Sequence, residues 1–217
     1  MNKLNQLSVN LIADISREEL FLNLLKRLEA YFFISEKEKE ILNIIQNEVL
    51  LRLEKCINGI DNKYFKRDGV PFFSYCHSGQ YLIYLYFLSN SLSNLDRSLM
   101  DKIYYLNKIL HGVDIYGEVE LPSVFFFEHP LGMVLGRAKY GENFFAMQGC
   151  TIGGNKGKYP TLGNNLKMYS DSKILGNCNI GNNVIIGANT YVKDFDIQDN
   201  IMVFGQSPNL ILKKISK

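Results

Sequence analysis

The sequence predicts an α+β chain: an α-helical domain over residues 1–112, then a parallel β-helix of six-residue repeats over 113–204, with a tail at 205–217. Two observations carry this. From Leu162 an apolar residue returns every sixth position: Met168, Ile174, Ile180, Ile186 and Val192. Neither a helix nor an alternating strand has that period, whereas each side of a parallel β-helix coil is one such hexad. Earlier in the chain, Ser16 with Glu19 and Ser35 with Glu38 have capping-box spacing. Leu20, Leu24, Leu25 and Leu28 follow the first box at helical intervals. Ile41, Ile44, Ile45, Val49 and Leu53 follow the second.

Residues 1 to about 60 therefore read as packing helices with charged outer faces. A break rich in Gly, Asp and Lys spans Asn58 to Pro71. The aromatic stretch Phe72 to Leu92 is helical in its second half, and a further helix covers about Asp96 to Leu110. From Val113 the helical period stops, and Ile115, Leu121 and Phe127 are six apart. Leu135 follows after eight, so two extra residues enlarge a corner near Pro130 to Gly132. Tyr140, Ala146 and Ile152 resume the period. Between Ile152 and Leu162 the phase slips, and residues 153–161 read as an extruded, mobile loop. Gly163-Asn164-Asn165 and Gly181-Asn182-Asn183 supply residues that take left-handed turn conformations at low cost. Ile201 to Lys217 reads as irregular coil and tail.

The chain of 217 residues has a formal net charge of +2 and no basic stripe with interleaved aromatics, which argues against nucleic acid as a partner. Its four cysteines (Cys56, Cys76, Cys150, Cys178) show no CxxC spacing, and the N-terminus has no apolar signal stretch. Both points fit reduced thiols in a cytoplasmic protein. The most apolar run, Tyr81 to Leu88, is too short to span a bilayer.

Specific motifs overlie the hexads. Asp114-Ile115 precedes Glu128-His129, which lie fourteen and fifteen positions after Asp114; Gln148-Gly149-Cys150-Thr151-Ile152-Gly153-Gly154 comes next. Lys158-Tyr159-Pro160, Lys173-Ile174-Leu175-Gly176-Asn177 and Ile185-Ile186-Gly187-Ala188 complete the set. This pattern resembles the serine acetyltransferase family of hexapeptide-repeat acyltransferases over about Val113 to Val192. The resemblance implies a left-handed β-helix, a homotrimer (or a dimer of trimers) with active sites between subunits, and acetyl-CoA as donor, with no metal. Two departures touch the acceptor site. Lys158-Tyr159 stands where the family has Arg-His in a longer loop, and Glu128 where it has Asp. Lysine does not reproduce the bidentate grip of arginine on a carboxylate. The end Lys-Ile-Ser-Lys also lacks the terminal isoleucine with which many family members dock cysteine synthase.

Acetyl transfer from a thioester to an alcohol needs a base for the hydroxyl proton and donors for the oxyanion. Histidine suits the base role, and the chain has only His77, His111 and His129. By position in the family pattern, His129 is the catalytic base and Asp114 the carboxylate that orients it. Glu128, Lys158, Tyr159 and His77 are the acceptor-side candidates, while His111 reads as structural. Gly153, Gly154, Tyr169, Lys173, Ala188 and Lys193 are the candidates for the coenzyme A side, with Lys213 and Lys214 as further cations for its phosphates. The altered acceptor positions favour a sugar hydroxyl of a surface polysaccharide. L-serine, feeding cysteine synthesis, is the alternative, and a non-catalytic trimerising β-helix a further one. A zinc hydratase on the same scaffold needs three histidines, and only His129 lies beyond residue 111.

Overall fold

A computed structural model describes residues 4–215. The chain divides into two compact units after His111.

The first unit holds four helices, α1 (Arg17–Glu29), α2 (Glu36–Gly59), α3 (Ser78–Ser91) and α4 (Arg97–His111). Both capping boxes form: the Ser16 and Ser35 hydroxyls accept from the Glu19 and Glu38 amides, and those carboxylates accept from the serine amides. Each box satisfies donors that a helix start otherwise leaves without partners. Helix α3 is apolar all round and is buried along nearly its whole length, packed against α2 and α4. One feature of this unit departs from the helical reading of its first 60 residues. Strands β1 (Asn5–Gln6), β2 (Ile12–Ala13), β3 (Lys66–Arg67) and β4 (Val70–Phe73) form a small sheet in the order β1-β2-β4-β3. Three of the four strands are only two residues long, too short to establish an alternation that the sequence could display.

At the end of α4, His111 is buried, with Nδ1 2.6 Å from Asn107 Oδ1 and its ring 6.1 Å from that of Tyr81. Burial, assisted by the Arg27 charge, pushes its pKa from 6.5 down to about 4. The unfolded chain therefore binds a proton that the folded chain refuses, and stability is lost as pH falls from 6.5 towards 4. The loss at the acid end is about 3 kcal/mol. Urea unfolding at pH 7 and pH 4.5 is expected to show a smaller difference for His111→Gln than for the wild type. An equal difference would mean that His111 does not carry this dependence.

The second unit is a parallel β-helix with three faces. The first face stacks β5 (Phe125–Glu128), β7 (Phe144–Met147), β10 (Lys167–Met168), β13 (Ile185–Ile186) and the start of β15 (Ile201–Gln206). The second stacks β6 (Val134–Leu135), β8 (Thr151–Gly153), β11 (Lys173–Leu175) and β14 (Tyr191–Lys193). The third pairs β9 (Thr161–Leu162) with β12 (Asn179–Ile180), extended by bridges at Lys139 and Ile197. The hexad residues from Leu162 to Val192 all point inward and are at most 4% exposed. Ser172, Cys178, Val184 and Thr190 are buried beside them.

The corners carry the turn chemistry. Asn143, Asn165, Asn183 and Asn200 all have φ between 56° and 59° and stack at the corner leading into the first face. Their side chains form a ladder: Asn143 Nδ2 donates to Asn165 Oδ1 (2.9 Å), Asn165 to Asn183 (2.8 Å) and Asn183 to Asn200 (3.0 Å). Close by, a Cβ on Gly163 would lie 2.5 Å from the backbone of Gly181, so only glycine lets these coils approach.

Within residues 153–161, between β8 and β9, Asn155 and Lys158 exchange both backbone hydrogen bonds at 2.9 Å around Lys156-Gly157, giving a tight turn. Asn155 Nδ2 also donates to Asp194 Oδ2 at 2.7 Å, which ties the turn to the coil below. The expected irregular end is instead an antiparallel hairpin of β15 and β16 (Asn209–Lys214). Ser216 and Lys217, the last two residues of the chain end compared above, lie outside the described residues. Among the described residues no helix is long and apolar enough to cross a membrane.

Candidate active site

The corner between the first and second faces gathers the chemistry. A column of left-handed residues runs down this corner: Gly112, Gly132, Gly149, Asp171 and Asn189, with φ of 63°, 69°, 66°, 60° and 57°. Four of their amides donate up the stack, Gly132 to Gly112 O, Gly149 to Leu131 O, Asp171 to Gln148 O and Asn189 to Ser170 O, at 2.8–2.9 Å. These N–H groups are thus consumed by the fold.

The extra pair of residues between Phe127 and Leu135 is accommodated at this corner. His129 takes φ 50°, its carbonyl accepts from Leu131 N at 2.6 Å, and its side chain is exposed. No hydrogen bond or ion pair engages the imidazole among the described residues. Asp114 belongs to the preceding coil: its amide donates to Met133 O and its carbonyl accepts from Leu135 N, both at 2.9 Å. Asp114 is thus in register with Val134 at the start of the second face, on the coil before the one that carries His129. Glu128 ends β5 and is half-buried beside Met147 in register, on the alternate outside of the coil.

A cleft of about 670 Å³ opens at the corner, lined by His129, Leu131, Gly132, Gln148, Gly149, Asp171 and Lys173. Lys173 Nζ donates to the main-chain oxygen of Asp171 at 2.8 Å, which holds the ammonium at the cleft wall. Cys150, behind the same corner, is buried, and burial pushes its thiol pKa up, so it is no ready nucleophile. Gln148 Oε1 is buried without a partner among the described residues.

Of the residues singled out in the sequence, the structure brings His129 and Lys173 into one cleft and Asp114 to the adjoining coil. Tyr169 and Ala188 continue down the same corner, both exposed, with Tyr169 N donating to Ile186 O. Lys158 and Tyr159 lie across the second face, at its far corner. There the Tyr159 ring covers Gly154, where a Cβ would sit 2.6 Å away, and the Arg137 guanidinium lies 5.2 Å from the ring centroid. Gly154 thus makes room for a tyrosine, and the Gly153 carbonyl is taken by Gly176 N. Lys193 is exposed in β14, its amide bonded to Ser207 Oγ. His77 serves within the helical unit as the N-cap of α3, its Nδ1 accepting from Gln80 N at 3.3 Å. The sequence reading missed Asp171, Gly149 and Arg137. An aspartate at a hexad corner reads as a turn residue, and only the fold shows that it lines the cleft.

Comparison with known proteins agrees with this scaffold. Over 93 residues the chain is 40% identical to a serine acetyltransferase of Synechococcus elongatus, a stretch covering 41% of this chain and 38% of that protein. In fold it matches the Neisseria gonorrhoeae serine acetyltransferase with a TM-score of 0.71 at 21% identity, covering 91% of this chain and 79% of the other. The chain is thus similar to serine acetyltransferases, in sequence over part of its length and in fold over most of it. A serine acetyltransferase solved in complex with CoA also matches in fold, with a TM-score of 0.67 at 20% identity, covering 89% of this chain and 83% of the other. The aligned stretch spans well under two thirds of the Synechococcus protein. No protein-family model matches the chain. Among the described residues no group of three or more His, Cys, Asp or Glu is placed to hold a metal ion.

Proposed function

We propose that the chain transfers the acetyl group of acetyl-CoA to the hydroxyl of L-serine. The observation that carries this reading is the unengaged imidazole of His129, set out at an enlarged corner one coil from Asp114 and opening on the 670 Å³ cleft. His129 takes the hydroxyl proton as the serine oxygen attacks the thioester carbonyl. Collapse of the tetrahedral intermediate breaks the C–S bond, and the imidazolium returns the proton to the departing thiolate. Asp114 orients the imidazole and stabilises its charged form. Negative charge on the carbonyl oxygen faces Lys173, whose ammonium keeps donors beyond the one given to Asp171 O. The corner amides cannot serve this purpose, since the coil ladder uses them.

The donor runs down the corner past Tyr169 and Ala188, and Glu128 lies on the acceptor side. Lys158 and Tyr159, a full face away from His129, reach an acceptor from a neighbouring copy in a homotrimer. A cytoplasmic setting, where acetyl-CoA is at hand, fits the reaction. The similarity to proteins named serine acetyltransferase favours L-serine over the glycan acceptor suggested by the altered loop.

The test is coenzyme A release from acetyl-CoA, followed with a thiol reagent, with L-serine in one set of reactions and a panel of sugars in the other. Release with serine alone is expected. Release with a sugar and not with serine would transfer the reading to a glycan acceptor.

A further inference from the structure

We propose that the Asp171 carboxylate receives the ammonium group of the acceptor, so that the site selects a hydroxyl compound carrying a primary amine. This rests on the acetyl-transfer reading of the same cleft and names what distinguishes its acceptor.

Asp171 lies two coils from Gly132 and one from Gly149 along the cleft corner. Its side chain is exposed to solvent at the corner. It folds back over Gly149, where a Cβ in place of the glycine hydrogen would collide with the carboxylate. The left-handed conformations at both residues fix this arrangement. The carboxylate therefore stands at the level of Gly149, one coil, about 4.8 Å, from the level of Gly132 where the His129 corner lies. In L-serine the hydroxyl oxygen and the amine sit on adjacent carbons, roughly 3 Å apart given bonds near 1.5 Å. One hydrogen bond of about 2.8 Å at each end lets a single serine span from the imidazole to the carboxylate.

The carboxylate is also available. Its oxygens make no hydrogen bond or ion pair among the described residues, and the neighbouring Lys173 ammonium is directed to the main-chain oxygen instead. A carboxylate on the wall of a cleft, without an ion-pair partner among the described residues, matches an ammonium donor and makes a charge-assisted contact with it. A sugar hydroxyl can donate a hydrogen bond to the carboxylate but brings no positive charge to it.

The experiment compares L-serine with 3-hydroxypropanoate, which keeps the hydroxyl and the carboxylate but lacks the amine, measured as substrate or as competitor of serine. Asp171→Asn and Asp171→Gly both suit the left-handed backbone, so the corner is kept. The expected result is a fall of about 10- to 100-fold in kcat/KM for L-serine, carried by KM. The constant for 3-hydroxypropanoate and the KM for acetyl-CoA are expected to change less than about twofold. Equal losses for both compounds would make Asp171 a structural residue and overturn the proposal, as would no loss for either. Wild-type protein inactive with serine would instead overturn the acceptor reading beneath it, and the wild type is assayed first to separate the two failures.

Discussion

Replacing His129 with asparagine is expected to lower kcat for acetyl transfer by roughly 100- to 10,000-fold, the usual contribution of a positioned general base. Asparagine tolerates the φ of 50° at this corner and the side chain is exposed, so the β-helix stays folded. The loss should appear in kcat more than in KM for acetyl-CoA, because the proton is taken only as the carbon–oxygen bond forms. Steady-state kinetics together with a far-ultraviolet circular dichroism spectrum decide the matter. A variant with a native spectrum and undiminished kcat would remove His129 from the reaction.

The second large effect concerns the scaffold. Ile174 is fully buried at the centre of the second face, between Ile152 of the coil before and Val192 of the coil after. Ile174→Ala leaves a cavity that the neighbouring rungs cannot close, since each is fixed by its own backbone hydrogen bonds. A loss of about 2–5 kcal/mol is expected in urea unfolding. Each coil contacts chiefly its two neighbours, so weakening a middle coil uncouples those on either side. A loss below about 1 kcal/mol would show that the stack does not depend on its inner column.

Much of this was legible in the chain because a β-helix is built from local repeats. The column from Leu162 to Val192 needs no long-range pairing to be seen, since each hexad states its own inward residue. The two-residue excess before Leu135 marked the corner at which His129 now stands. The spacing from Asp114 acquires meaning only with the coil, which places Asp114 in register with Val134, on the coil before the one that carries His129.

Other features were hidden for physical reasons. The turn at Asn155–Lys158 looks like a flexible loop by its Gly and Lys content, yet backbone pairing and the bond to Asp194 fix it. Arg137 and Tyr159 are far apart in sequence and meet only when coils stack. Asp171 shares its corner role with Asn189, and nothing in its neighbours discloses that its carboxylate turns towards Gly149. The β15–β16 hairpin breaks the hexad rule, so the period that revealed the rest gave no guide there.

The most direct test of the account is mass spectrometry of the product formed from acetyl-CoA and L-serine by the wild type and by His129→Asn. O-acetyl-L-serine in equal amount to the coenzyme A released, and near-background product from the variant, is the result the account predicts. Absence of O-acetylserine from the wild type, or equal formation by the variant, would contradict it.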